Sequence, residues 1–130
     1  MKKKSFAFIV CFVGFLVLLQ PNSHAQGCQN PRDSFDDLYC LNRIYVQADA
    51  DLNTIYKKLS QRLSTSVRQV LKRYQLAWIQ QRNDTCSFSD SRGFYVNIRC
   101  ASEMTVARTN FLNDRYRECI SVGCLPNKLR

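Results

Sequence analysis

The chain has 130 residues with 19 Lys+Arg against 10 Asp+Glu, seven cysteines and one histidine, His24. A zinc site built from several imidazoles is out of reach, and a Ser-His-Asp or Cys-His nucleophile would depend on His24, which is expected to leave with the leader. No cofactor is expected.

The first 25 residues read as a signal peptide. MKKKS is a positively charged start, Phe6 to Leu19 is uninterrupted apolar sequence, and Ser23-His24-Ala25 is a small-residue cleavage pattern. As a helix the apolar run spans about 21 Å, short of the roughly 30 Å hydrocarbon core. Cleavage after Ala25 is therefore expected, giving a periplasmic or secreted chain of residues 26–130 with no membrane span. Loss of Lys2, Lys3 and Lys4 lowers the net charge from +9 to +6, and loss of Cys11 and His24 leaves six cysteines and no histidine. An even cysteine count in an exported chain reads as a disulfide framework. Oxidised cysteines withdraw thiolate chemistry as well. The only glutamates, Glu103 and Glu118, give poor material for a carboxylate pair, so a non-enzyme is expected.

Leu38, Leu41, Tyr45, Ala48, Leu52, Ile55 and Leu59 recur in alternating steps of three and four, predicting one long helix from about Ser34 to Leu63. Ser34, followed three residues later by Asp37, is the expected N-terminal cap. Ser64-Thr65-Ser66 breaks the pattern, with Ser66 expected to cap a second helix. That helix carries Val67, Val70, Leu71, Tyr74 and Trp78 to about Asn83. SFSDSRGFYVNIR, between Cys86 and Cys100, reads as a loop or a brief strand. A third helix is expected from about Ala101 to Glu118, facing inward through Met104, Ala107, Phe111, Leu112 and Arg115 or Tyr116. The closing LPNKLR reads as a frayed tail. The fold class is all-α, a small three-helix bundle with disulfide-closed loops in one domain.

Local pairing is the economical arrangement: Cys28–Cys40, Cys86–Cys100 and Cys119–Cys124. Positions five apart point to different sides of a straight helix, so the last pair needs a turn, which Gly123 supplies.

Several stretches resemble the LprI-type lysozyme-inhibitor family. They are Cys28 with Cys40, ADADLNTIYKKL at 48–59, QLAWIQQRNDTC at 75–86, Cys100 and TVARTNFL at 105–112. Together they cover about 85 of the 105 residues after the leader, in order and at similar spacing, while Cys119 and Cys124 lie outside the pattern. The resemblance implies an exported, LprI-like helical domain that inhibits a lysozyme or another peptidoglycan hydrolase by steric occlusion. Against a basic lysozyme, a +6 chain meets like charge, which opposes encounter. A local acidic patch, Asp33 with Asp36 and Asp37 or Asp49 with Asp51, would have to offset it.

Gln75, Trp78 and Arg82 share one helix face, with Cys86 just beyond. This set is read as a structural brace: Trp78 packs the bundle, Arg82 lies over its ring, Asp51 supplies a carboxylate, and Arg108 joins from the third helix. The partner-binding candidates are Arg92, Phe94 and Tyr95, residue types enriched at interface hot spots, in a loop held at both ends. Phe94 or Ile98 is expected inward and Arg92 or Tyr95 outward. A second class of function is a non-catalytic module for anionic lipid, lipopolysaccharide or wall polymer. It would use the basic cluster Lys57, Lys58, Arg62, Arg68, Lys72 and Arg73, since export argues against nucleic acid.

Overall fold

The computed structural model describes residues 30–129. The leader, its cleavage site and Cys28 lie outside the described residues. Helices α1 (Ser34–Arg62), α2 (Thr65–Cys86) and α3 (Ile98–Ser121) carry the architecture. A hairpin of β1 (Ser87–Asp90) and β2 (Gly93–Val96) joins α2 to α3, and a 3-10 turn, Pro126–Lys128, follows near the end. The expected three-helix bundle is what forms.

Capping differs from the sequence reading at two places. Asp33, not Ser34, caps α1, its Oδ1 accepting from Asp36 N at 2.8 Å. A carboxylate there also suits the positive end of the helix dipole, as do Asp36 and Asp37 in the first turn. Arg32 donates to Asp36 in turn and holds that carboxyl below its usual range. At α2 the N-cap is Ser64, so Ser66 sits inside the first turn. Its hydroxyl meets that of Ser64 at 3.3 Å instead of capping.

The α1 seam is buried over its second half, at Ala48, Leu52, Ile55 and Leu59. Towards the N-terminus it emerges, with Leu41 and Tyr45 half-buried and Leu38 exposed. Leu63 continues the seam past the helix end, and Leu71 of α2 and Leu112 of α3 close the core, both fully buried.

Two expectations are corrected here. Leu129 is buried in the same cluster, so the tail is docked, not frayed. On α3, Leu112 is buried and Phe111 and Tyr116 pack on the core as expected, but Ala107 is exposed and the buried face continues instead through Ala101, Ser102, Thr105 and Arg108. Ser102 and Thr105 take this face because their hydroxyls are satisfied locally. Thr105 Oγ1 donates to Ala101 O at 2.7 Å and Ser102 Oγ to Ile98 O at 2.8 Å.

Two disulfides join described residues, Cys86–Cys100 and Cys119–Cys124, as local pairing predicted. Cys40 is also disulfide-bonded; its expected partner, Cys28, lies outside the described residues. After Cys119 the helix ends at Ser121, and Gly123 adopts φ +100°, turning the chain so that Cys124 comes back. A side chain at position 123 would strain that backbone, so the glycine is needed.

Candidate functional site: a stapled hairpin and the cleft behind it

The sequence at 86–100 folds into a hairpin because turn chemistry and the flanking helices both specify it. Ser87 pairs with Val96, Phe88 with Tyr95, Ser89 with Phe94 and Asp90 with Gly93. Asp90 accepts from Arg92 N at 2.8 Å and from Arg92 Nη2 at 2.9 Å, an Asx-type turn that holds the tip. These bonds hold the Asp90 carboxyl below its ordinary value, the Arg92 side chain being the main cause. Gly93 at φ +151° completes the turn. At the base, Asn97 N donates to Cys86 O at 2.8 Å, and Asn97 caps α3 by accepting from Cys100 N at 3.0 Å. The Cys86–Cys100 disulfide fastens the same point, with Cα atoms 5.6 Å apart.

Beyond this staple the hairpin stands in solvent. Phe88 is 62% exposed and Phe94 70%, and Phe88 stacks on Tyr95 with centroids 4.8 Å apart. Arg92 and Tyr95 are outward, as expected, and Ile98 is half-buried. Phe94 lies on the inner side of the hairpin, one of the two inward options, yet is not packed against the bundle. A two-stranded hairpin has two faces, and Phe94 and Val96 are the apolar residues on the one that looks back towards the helices. There they wall a cleft of about 330 Å³ with Tyr45, Arg82 and Ile98.

From that cleft a ladder of cations and aromatic rings runs along the bundle. Arg82 lies over Tyr45 at 5.7 Å and Trp78 at 5.3 Å. Arg108 lies over Trp78 at 5.9 Å and Phe111 at 4.8 Å, and Arg115 over Phe111 at 5.3 Å. Each guanidinium thus faces the negative surface of at least one ring. Arg108 is 8% exposed, and burial pushes its pKa down. Its Nε donates to Gln75 Oε1 at 3.0 Å, while Nη2 is buried with no hydrogen-bond partner among the described residues. Glu118 meets Arg115 at 2.9 Å and Lys128 at 3.3 Å, the ladder's one carboxylate.

Gln75, Trp78, Arg82 and Arg108 therefore come together as the sequence suggested. Asp51 does not join them: it is exposed and accepts from Gln47 one turn earlier on α1, at 2.9 Å. Arg82 instead donates to Asn83 Oδ1 at 3.1 and 3.3 Å, and to Thr105 Oγ1 at 3.5 Å. Tyr45, Phe111, Arg115 and Thr105 were missed as ladder members. Both rings read as apolar helix positions; nothing local signals the distant cation over Tyr45, whereas Phe111 has Arg108 and Arg115 three and four residues away, a spacing that could have found them. Asp37, expected near a cap, also reaches Arg99 in α3 at 3.2 Å.

Among the described residues no group of three His, Cys, Asp or Glu is placed to hold a metal ion. None of their helices is long and apolar enough to cross a membrane. Fold and site together define a small disulfide-braced helical protein whose accessible features are an aromatic hairpin and the cationic cleft beneath it. Residues 28–112 match the family described as "Lysozyme inhibitor LprI", and the chain belongs to that family. No curated protein and no solved structure matches the chain.

Proposed function

We propose that this protein is an exported inhibitor of a lysozyme-like peptidoglycan hydrolase, acting by steric occlusion and performing no chemistry of its own. The observation that carries this reading is the stapled hairpin, which leaves Arg92, Phe94 and Tyr95 exposed together with Phe88. Membership of a family named for lysozyme inhibition supplies the target class.

A hairpin fixed at its base by a disulfide and at its tip by Asp90–Arg92 loses little freedom on binding, so more of its contact energy appears as affinity. Aromatic and arginine side chains are the residue types that dominate interface energetics. Occlusion needs only a shaped protrusion that fills or covers the enzyme's cleft.

The test is lysis of cell-wall suspensions by purified lysozymes of several structural types, with and without the oxidised protein. Inhibition is expected, and the double variant Phe94→Ala/Tyr95→Ala should weaken it at least about tenfold, the effect of one modest hot spot. Absence of inhibition at large molar excess across the panel would remove the reading. If the same preparations instead bind anionic vesicles in a salt-sensitive way, the basic cluster at the α1–α2 junction takes precedence.

A further inference from the structure

We infer that the cleft behind the hairpin seats a carboxylate side chain of the hydrolase, with Arg82 as its counter-ion. The inference rests on the inhibitor reading and assigns a chemistry to the inner face of the hairpin, where Phe94 and Val96 stand opposite Tyr45.

Three observations support it. First, Arg82 is half-buried and its hydrogen-bond partners, Asn83 and Thr105, are neutral. Second, the residues lining the cleft include no acidic side chain, so its single charge is positive and its walls are largely apolar. A cation in such surroundings interacts with an incoming anion more strongly than it would in water. Third, Tyr45 and Trp78 lie within 5.7 Å of the guanidinium carbon, so stacking fixes the orientation of the group. Donors at a guanidinium edge suit a planar carboxylate. Nη1 has only the 3.5 Å contact to Thr105 and is the donor most readily taken over.

The ladder strengthens the argument. Of the three ladder guanidiniums only Arg115 pairs with a carboxylate, Glu118, among the described residues. Arg82, at the cleft end, has neutral partners. An acidic side chain of the enzyme would therefore complete an ion pair that Arg82 does not make among the described residues. It also gives a basic inhibitor a specific attraction for a basic enzyme despite the like net charges.

The experiment uses the oxidised protein and whichever purified lysozyme it inhibits, with calorimetric Kd and lysis inhibition as readouts. Arg82→Gln should weaken binding about 10- to 100-fold, the range of a charged hydrogen bond, and flatten the salt dependence, whereas Arg82→Lys should recover part of the loss. Because Arg82 also braces the bundle, a second pair on the exposed strand decides the matter if Arg82→Gln unfolds. Val96→Glu places a carboxylate inside the cleft and should weaken binding about tenfold more than Val96→Gln, which adds the same bulk without the charge. Wild-type inhibition combined with equal binding by Val96→Glu and Val96→Gln would overturn the cleft assignment and leave the inhibitor reading standing. No inhibition by the wild type would overturn both.

Discussion

Leu129 offers a sharp test of how the bundle is closed. It lies one residue past the last 3-10 turn, at a chain end where sequence alone suggests fraying, yet it is 3% exposed among Leu63, Leu71 and Leu112. Leu129→Ala removes three buried carbons, worth about 0.8 kcal/mol each in transfer, or roughly 2.4 kcal/mol. A cavity adds to this in rigid cores, but a terminal segment can settle inward, which keeps the total near 2–3 kcal/mol. At about 4–8 °C per kcal/mol for a domain of this size, Tm should fall by roughly 8–24 °C. Leu125→Ala, at a site 40% exposed, is the control and should change stability by less than about 0.5 kcal/mol. Thermal melts followed by far-UV circular dichroism under oxidising conditions measure both. A Leu129→Ala loss no larger than the control's would show that the tail does not close the core.

Three further outcomes follow from the same packing. Arg108→Met keeps the stem volume and removes a buried charge with one unpartnered N–H; lost cation–π contacts and lost desolvation cost should nearly cancel, leaving stability within about 1 kcal/mol. Arg108→Ala, which also opens a void, should lose about 2–3 kcal/mol in denaturant titrations. Trp78→Ala should cost about 3 kcal/mol, since the half-buried ring supports both Arg82 and Arg108; a variant that kept full stability but lost hydrolase binding would make Trp78 a contact residue instead. Because the folded pKa of Asp90 is depressed, its contribution is fully present above the unfolded value of 3.8 and is lost as pH falls through the lower folded value. The Arg92 amide resonance should accordingly hold steady above that point and move only in stronger acid, and Asp90→Asn should remove the transition.

How far the site was legible depends on whether a residue's partner lies nearby in the chain. The Gln75-Trp78-Arg82 face was legible because helical spacing alone puts those three side chains on one side of α2. Arg92 among turn residues was legible because Asp, Gly and Ser surround it, but the segment read as a loop or a brief strand and not as a paired hairpin. Asp51 was assigned to the wrong partner because Gln47, one turn away, competes for its carboxylate at no cost in chain closure. Phe94 was a matter of which side of a strand faces the helices. Period-two alternation puts Phe94 with Val96 on one face and Tyr95 on the other, but does not say which face looks at solvent.

The sequence by itself determined three helices, the position of the break at Ser64, the two local disulfides and the turn at Gly123. All of these are short-range matters of periodicity, turn chemistry and chain reach. Only the tertiary structure decided that α3 buries Thr105 and Arg108 in place of Ala107 and that Leu129 returns to the core. The same holds for Tyr45, brought within reach of a guanidinium thirty-seven positions further on. A helix stripe reports where apolar atoms recur. It cannot report that a hydroxyl is satisfied by its own preceding turn, or that a buried cation is stabilised by rings arriving from other helices. Those partners exist only once the helices have been packed.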